Sequence, residues 1–280
     1  MEKTELIGLS KEELGELLKE IGEKPFRVKQ LWQWIYHFGE TDFAKMTNLS
    51  KDLRQKLAAH FTISRPKIVN EQISADKTHK WLLEFADGQR IETVYIPEED
   101  RGAVCISTQV GCAVGCKFCH TGSQKITRNL TAGEIVAQFM VACDAYGEWP
   151  TPTNETRYLS NIVVMGMGEP LHNPENTLKA LRILSDGEGI AISKRKITLS
   201  TSGIVPQIPQ VTGFGCKLAI SLHAPNNEKR SQIMPINNRY KIEEILEACK
   251  EYQQALGPGK YVTFEYLMLK DFNDLSLIHI

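Results

Sequence analysis

The sequence predicts an α/β protein built on a parallel sheet, preceded by a small helical section. Three observations predict it. From Val104 onward, apolar strand-like runs alternate with amphipathic helical ones, the pattern of repeated βα units. Roughly the first 70 residues carry helical periodicity instead. Between the two, Asp87-Gly88 separates a pair of alternating runs, which is a hairpin signal. The chain has 280 residues, 42% hydrophobic and 24% charged, enough for one large core plus a small domain.

The elements follow in order. Ser10 and Glu13 form a capping box, Leu9 can staple to Leu14, and Gly22 can end the helix. Leu14, Leu17, Leu18 and Ile21 share one face of it. A second helix follows Pro25, with Val28, Leu31, Trp32 and Ile35 inward and Arg27 and Lys29 outside. A third starts near Ser50 and carries Leu53, Leu57 and Phe61. Trp32, Trp34 and Tyr36 read as core residues. The division is residues 1–75 as a helical accessory domain, 76–98 as a β-hairpin extension and 99–280 as the α/β part. Strands are expected near 103–108, 161–166, 196–201, 216–222 and 261–268, and helices near 132–146, 174–186 and 242–256. Thr131 and Glu134 form a second capping box, and Asn173-Pro174 reads as a cap followed by a first-turn proline. Ile242, Ile245, Leu246, Cys249 and Tyr252 make the inward face of the last helix, which ends at Gly257.

Bulk properties exclude some classes. No run approaches 18 apolar residues, so no helix is expected to cross a membrane. The first residues lack a secretory apolar core, and seven cysteines do not read as a disulfide framework. A reducing cytoplasm is the expected compartment. Net charge is −1, yet residues 24–67 hold nine Lys or Arg against three Asp or Glu. Such a segment is either a phosphate-binding surface or a solvated helix face.

The chemistry concentrates in Cys112-Ala-Val-Gly-Cys116-Lys-Phe-Cys119, a CxxxCxxC spacing on a loop after an apolar strand. Three thiolates so close suit an iron–sulfur cluster with one iron left open. A zinc site using His120 as fourth ligand is the alternative, although no second knuckle is present. The loop, Gly166–Pro170, Ser200–Ser202 and Ser221–His223 all fall at C-terminal strand ends, where chemistry gathers in parallel sheets. Glycines at 166 and 168 would let the backbone approach a ligand, and Glu169 could accept from an ammonium group. Taken singly, Ser200 and Ser221 read as strand-end hydroxyls, His223 as structural, and Cys105 as an inert core thiol. Alternation puts Glu92 with Val94 and Ile96, where a carboxylate marks a sheet edge or a site.

The CxxxCxxC motif resembles that of the radical S-adenosylmethionine (SAM) enzymes. Cys105-Ile-Ser-Thr-Gln-Val-Gly-Cys-Ala, Gly166-Met-Gly-Glu-Pro170 and Ser221-Leu-His-Ala-Pro225 narrow the likeness to the RlmN/Cfr family of RNA adenine methyltransferases. The likeness runs over residues 24–274. It implies a partial (βα)6 barrel, a [4Fe-4S] cluster on Cys112, Cys116 and Cys119, and SAM on the open iron. It implies SAM contacts at Gly168, Glu169, Ser200, Ser221, Leu222, His223 and Asn273. Glu92 matches a proton acceptor, whose pKa burial would raise. Cys105 matches the second catalytic cysteine. The helical domain would help hold RNA, with 23S rRNA and tRNA as partners, a flavodoxin-like electron donor and a monomeric state.

The implied reaction has two halves. One SAM methylates a cysteine, and a second is cleaved to a 5′-deoxyadenosyl radical. That radical takes hydrogen from the S-methyl group, whose carbon adds to adenine C2. Proton loss and attack by Cys105 release the methylated base and leave a disulfide. C8 methylation, as in Cfr, is the alternative regiochemistry. Another radical-SAM reaction and a non-catalytic zinc-binding RNA module are the competing readings. The family pattern would continue beyond residue 274 to the methyl-accepting cysteine, whereas no cysteine follows Cys249. The chain therefore reads as C-terminally truncated, with a non-family tail at 275–280, an unpaired sheet edge, poor solubility and no RNA methylation of its own.

Overall fold

The computed structural model describes residues 3–151, 157–257 and 261–274. The tail at 275–280 lies outside them. The helical section comprises β1 (Thr4–Glu5), α1 (Lys11–Glu20), α2 (Arg27–Tyr36), α3 (Lys51–His60) and β2 (Phe61–Thr62). β1 and β2 pair in parallel and tie its two ends together. Ser10 Oγ accepts from the Glu13 amide at 3.3 Å, and the Glu13 carboxylate takes the Ser10 amide at 2.6 Å. Two orphan donors of α1 are thereby satisfied. Gly22 closes the helix at φ 81°, its amide on Lys19 O and the next amide on Leu18 O. Leu14, Leu18, Leu31, Trp32, Ile35, Tyr36, Leu53 and Leu57 are buried, while Trp34 is half-buried.

The main body follows as β3 (Lys67–Ile73), β4 (His79–Glu84), β5 (Arg90–Pro97), β6 (Gly102–Cys105), β7 (Gln109–Val110), α4 (His120–Ser123), β8 (Arg128–Asn129), α5 (Ala132–Tyr146), β9 (Leu159–Val164), α6 (Pro174–Ser185), β10 (Ile197–Thr201), α7 (Ile208–Phe214), β11 (Lys217–Ser221), α8 (Asn227–Ile233), α9 (Ile242–Leu256) and β12 (Thr263–Glu265). Among the described residues, eight strands form one sheet in the order β12-β11-β10-β9-β6-β5-β4-β3. Pairing from β12 to β6 is parallel, and from β6 to β3 antiparallel. β12 and β3 are its edges, so the barrel is partial, as expected.

Four details differ from the sequence reading. β3 was not expected: the hairpin is a three-stranded antiparallel unit. Six of the seven β3 residues are exposed, so no alternation marks it. The seven-residue helices α7 and α8 are too short to show periodicity. Leu246 is exposed, because the buried stripe of α9 runs through Ile245, Ala248, Cys249 and Tyr252. Asn173 precedes α6 without a side-chain cap bond. Its amide nitrogen instead donates to Thr108 O at 2.9 Å and Leu130 O at 2.8 Å, fastening α6 to the segment after β6.

The helical section joins the sheet through one continuous core. The Gly8 amide donates to the Tyr36 hydroxyl at 2.9 Å. Lys11 bonds Asp186 at 2.8 Å, and Asp186 also accepts from the Trp32 indole at 3.1 Å. Gly8, at φ 92°, lies against the first turn of α5: a Cβ there would be 2.2 Å from the Gly133 nitrogen. Backbone cannot give way as a flexible side chain can, so this contact admits no side chain. Gly8→Ala is therefore expected to lower stability by about 2 kcal/mol or more. Gly213→Ala is the control, since Gly213 is helical with open space around it. That change should be neutral or stabilise by up to about 1 kcal/mol. Urea denaturation of the two variants checks both.

Candidate cofactor and active site at the strand ends

Strand register decides which side chains meet. Val94 opposes Cys105 and Cys105 opposes Val163, so these share one face. Thr198 opposes Val163, Ser200 opposes Ala219, and Ser221 opposes Glu265. Side chains alternate along each strand. Glu92, Cys105, Ser200, Ser221 and Glu265 therefore project from the same face. The other face carries Ile91, Val104, Ile162, Leu199, Leu218 and Ile220, all fully buried.

The cysteine loop starts where β6 ends. The short β7–β8 pair closes its base, with further bonds from Thr127 N to Val110 O and from Leu130 N to Thr108 O. Cys112, Cys116 and Cys119 are half-buried along it. The loop is moored on its far side. Lys117 N donates to Ile233 O at 2.9 Å, and the Phe118 ring stands edge-on to His223 at 4.9 Å. Burial pushes the Cys112 thiol up. Cys116 is pushed up to about 12, by burial first and then by Cys112, Cys119 and Glu169. Without a metal the Cys112 and Cys116 thiols hold their protons at neutral pH, and a thiolate-binding group would displace them.

The donor set fits a cluster. Three thiols lie within eight residues of one loop. Zinc needs its ligands around one point, whereas a cluster takes one thiolate per iron. His120 is exposed at the start of α4.

The Gly166–Pro170 loop is braced against the strand carrying the cysteines. A Cβ on Gly166 would be 2.6 Å from Ser107 Oγ, and one on Gly168 would be 2.5 Å from the Gln109 Cβ. Close packing, rather than approach to a ligand, accounts for both glycines in this structure. Glu169 is 4% exposed, and its carboxylate already accepts four bonds. These come from Leu171 N at 2.9 Å, Thr201 Oγ1 at 2.7 Å, and Ser202 N and Oγ, each at 2.7 Å. No lone-pair site is left over for an ammonium group.

Ser200 and Ser221 donate to the same oxygen of Glu265, at 2.9 and 3.2 Å. The Leu222 and His223 amides donate to the Glu265 carbonyl at 3.0 and 3.2 Å. His223 adopts φ 58°, the left-handed region, and its Nδ1 accepts from Leu267 N at 3.0 Å. A neutral ring then carries its proton on Nε2. Burial lowers the His223 pKa, which favours that neutral form. Asn273 differs from expectation. Its amide donates to His223 O at 2.8 Å and Leu267 O at 2.7 Å, and its oxygen accepts from Leu269 N at 2.5 Å. The side chain is committed to the backbone and holds the His223 turn.

Cys105 is half-buried on the shared face, and burial pushes its thiol up to about 11. Glu92 shares that face but is not buried: its side chain is 47% exposed and bonds Lys80 at 3.0 Å. The expected burial fails because Glu92 lies on the open face, whereas Ile91 and Thr93 fill the core.

Three residues outside the sequence reading organise the site. Glu265 is one; alternation in the last strand pointed to its face. Gln138, fully buried on α5, is another. It accepts from Ser107 N at 2.7 Å and donates to Ser107 O at 2.9 Å, standing in for a neighbouring strand. The third is Arg230, fully buried on α8. Gln138 is outnumbered by apolar neighbours on α5 and Arg230 sits among polar residues on α8, so neither could be singled out from sequence.

The basic segment at 24–67 is largely neutralised. Arg27, Lys29, Lys45, Lys56, Arg65 and Lys67 each have a carboxylate within 4 Å. Lys51 and Arg54 instead line a cleft of about 480 Å3 with Lys3 and Asp42.

Comparisons with known proteins agree with this geometry. Residues 4–63 match the family described as the ribosomal RNA large subunit methyltransferase N-terminal domain. Residues 106–280 match the radical SAM superfamily. The chain is 60% identical over 270 residues to a dual-specificity RNA methyltransferase RlmN of Rhodospirillum rubrum, covering 96% of this chain and 63% of that protein. It is 59% identical to the protein of that name from Gluconobacter oxydans, covering 97% and 68%. A crystal structure of a radical SAM methyltransferase from Sphaerobacter thermophilus superposes with a TM-score of 0.88 at 44% identity, over 98% of this chain and 79% of that one. The chain thus spans about two thirds of the length of these two curated relatives. A cysteine loop on an open α/β sheet, behind a helical section that matches its own family, places this chain in the RlmN family of the radical SAM superfamily.

Proposed function

We propose that this chain carries the radical-SAM core of an RNA methyltransferase acting on C2 of adenine in 23S rRNA and tRNA. The carrying observation is that Cys105 and the Ser200–Ser221–Glu265 group share one sheet face, while the three-thiol loop is moored beside the strand ends through Lys117 on Ile233 and Phe118 against His223. The names of the relatives, dual-specificity RNA methyltransferases, support the substrate class. Cys112, Cys116 and Cys119 would hold a [4Fe-4S] cluster, and Ser200, Ser221, Glu265 and His223 would line the place of SAM. Together those groups would supply one-electron chemistry for a carbon too poor a nucleophile for polar transfer.

The chain's own residues do the rest. Glu265 gathers both serine hydroxyl protons, which leaves serine and carboxylate lone pairs facing the ligand. Glu92, exposed and beside Lys80, is a proton acceptor in contact with water. Cys105 on the same face is the nucleophile that releases product, kept as an unreactive thiol until its proton is taken. The target adenine has to leave its stack to reach this face, as loop bases can. Lys3, Lys51 and Arg54 give the helical section a place for a phosphate. A flavodoxin-like donor, a monomeric state and a cytoplasmic location complete the reading.

Two outcomes are expected. The chain, reconstituted anaerobically with iron and sulfide, reduced and given SAM, should form 5′-deoxyadenosine detectable by mass spectrometry. Cys116→Ala should lower that yield by about 100-fold or more, since a cluster needs its thiolates. A folded chain that refuses iron and takes zinc would contradict the proposal.

The second outcome concerns pH. Cys105 titrates near 11 against an ordinary 9.0. Its alkylation in the cofactor-free chain at pH 8 should be about 100-fold slower than that of a free thiol. The folded state holds this proton more tightly than the unfolded state does. Its contribution to stability is therefore full below pH 9 and lost as pH rises through about 11. Alkylation rates followed by peptide mass spectrometry, and melting curves between pH 8 and 11, check both statements.

A further inference from the structure

Arg230 is fully buried on α8, and its guanidinium meets only neutral acceptors. Nε donates to Leu222 O at 3.1 Å and Nη1 to Asn237 Oδ1 at 3.0 Å. Nη2 donates to Ser202 O at 2.7 Å and Ser221 O at 3.1 Å. Buried cations are normally paired with a carboxylate, because an isolated charge in a dry interior costs several kcal/mol. This chain follows that rule elsewhere: the largely buried Arg157 lies against Glu148. Among the described residues no carboxylate ion-pairs with Arg230. The desolvation left uncompensated draws its pKa down to about 10, so it remains a cation at neutral pH.

The position of this charge suggests what compensates it. The α8 segment is the mooring of the cysteine loop, through Lys117 N on Ile233 O at 2.9 Å. Pro235, just beyond α8, lies 4.0 Å from where a Cβ on Gly115 would stand. The carbonyls that Arg230 holds belong to Ser202, Ser221 and Leu222, at the ends of β10 and β11. Glu169 and Glu265 are the carboxylates tied to the same strand ends, and the hydrogen bonds that both accept come from residues other than Arg230.

We propose that Arg230 is the built-in counter-charge of the iron–sulfur cluster, an unpaired cation fixed on the helix that moors the cysteine loop, and that it favours the reduced cluster. The inference rests on the cluster reading above. A four-iron cluster on three thiolates is net negative, and one-electron reduction by an external donor adds one more negative charge. A fixed cation at low dielectric stabilises the reduced form more than the oxidised one. Arg230 is a positioning residue in this account: it touches no substrate, and it sets both the strand ends and the local potential. The absence of a carboxylate partner is then functional, since a paired arginine would present no net charge.

The test is a reductive titration of the reconstituted 280-residue chain, following the electron paramagnetic resonance (EPR) signal of the reduced cluster at set potentials. Arg230→Gln removes the charge and should lower the reduced-to-oxidised ratio at a given potential about tenfold, a negative shift of about 59 mV for a one-electron couple. Arg230→Lys keeps the charge and should stay within about twofold of the parent. Asn237→Asp leaves the guanidinium in place and sets a carboxylate against Nη1. It should shift the ratio in the same direction as Arg230→Gln. A purely structural role predicts equal shifts for the Lys and Gln variants, or none, and either result overturns the proposal. If Arg230→Gln does not hold iron, Asn237→Asp decides alone, and an unchanged potential there overturns it. A parent chain that binds no iron sinks the cluster reading itself, which iron and sulfide analysis separates from failure of this inference.

Discussion

The site depends on one buried carboxylate. Glu169 takes four hydrogen bonds from Leu171, Thr201 and Ser202, and its own amide donates to Gln109 at 2.8 Å. One residue thus joins the loop after β9, the end of β10 and the strand that leads into the cysteine loop. A carboxylate removed from water is stable only when its lone pairs are filled, and here they are. Gln138 makes the matching connection from the helix side by pairing both backbone groups of Ser107. Chain segments far apart in sequence are held by hydrogen bonds that the core enforces. The loop bearing the thiols needs little regular structure of its own.

The second constraint is electrostatic. The face combines neutral thiols, the Glu265 carboxylate with two serine donors, and an unpaired buried guanidinium. In water such an arrangement would rearrange or be screened. Among buried strand ends it is fixed, which is how preorganised sites gain strength. Cys105 fits this scheme as a thiol held protonated by burial on the face shared with the serines. Glu92 stands apart at an open position, where exchange with water is easy.

Much of this was legible in the sequence, because it rests on periodicity and local chemistry. Both capping boxes, the Asp87-Gly88 hairpin, five parallel strands and the strand-end clustering of motifs follow from patterns within short windows. What escaped depends on distant partners. β3 is an exposed edge strand whose identity comes from pairing with β4. Asn173 looked like a cap because capping is the local use of an Asn before a proline, yet tertiary partners at Thr108 and Leu130 claim it. Asn273 reads in the sequence only as a ligand contact, whereas the fold also makes it a clasp on the backbone of His223, Leu267 and Leu269. Gln138 is a polar residue within the apolar helix α5, and Arg230 is one polar residue among many in the short helix α8, so their roles appear only when their partners do. The basic character of residues 24–67 shows the same limit. Sequence counts charges, but six of these nine side chains find carboxylates in the fold.

The central claim is that the cysteine loop and the polar strand ends form one cofactor site. Electron–nuclear double resonance on the reduced, reconstituted chain, with SAM carrying a nitrogen-15 amine, tests it most directly. The account predicts a hyperfine coupling between the cluster spin and that nitrogen, because the thiol loop and the strand-end groups would hold cluster and SAM in one site. An iron-loaded, reduced chain in saturating SAM with no such coupling would show that the two halves of the face serve different ends.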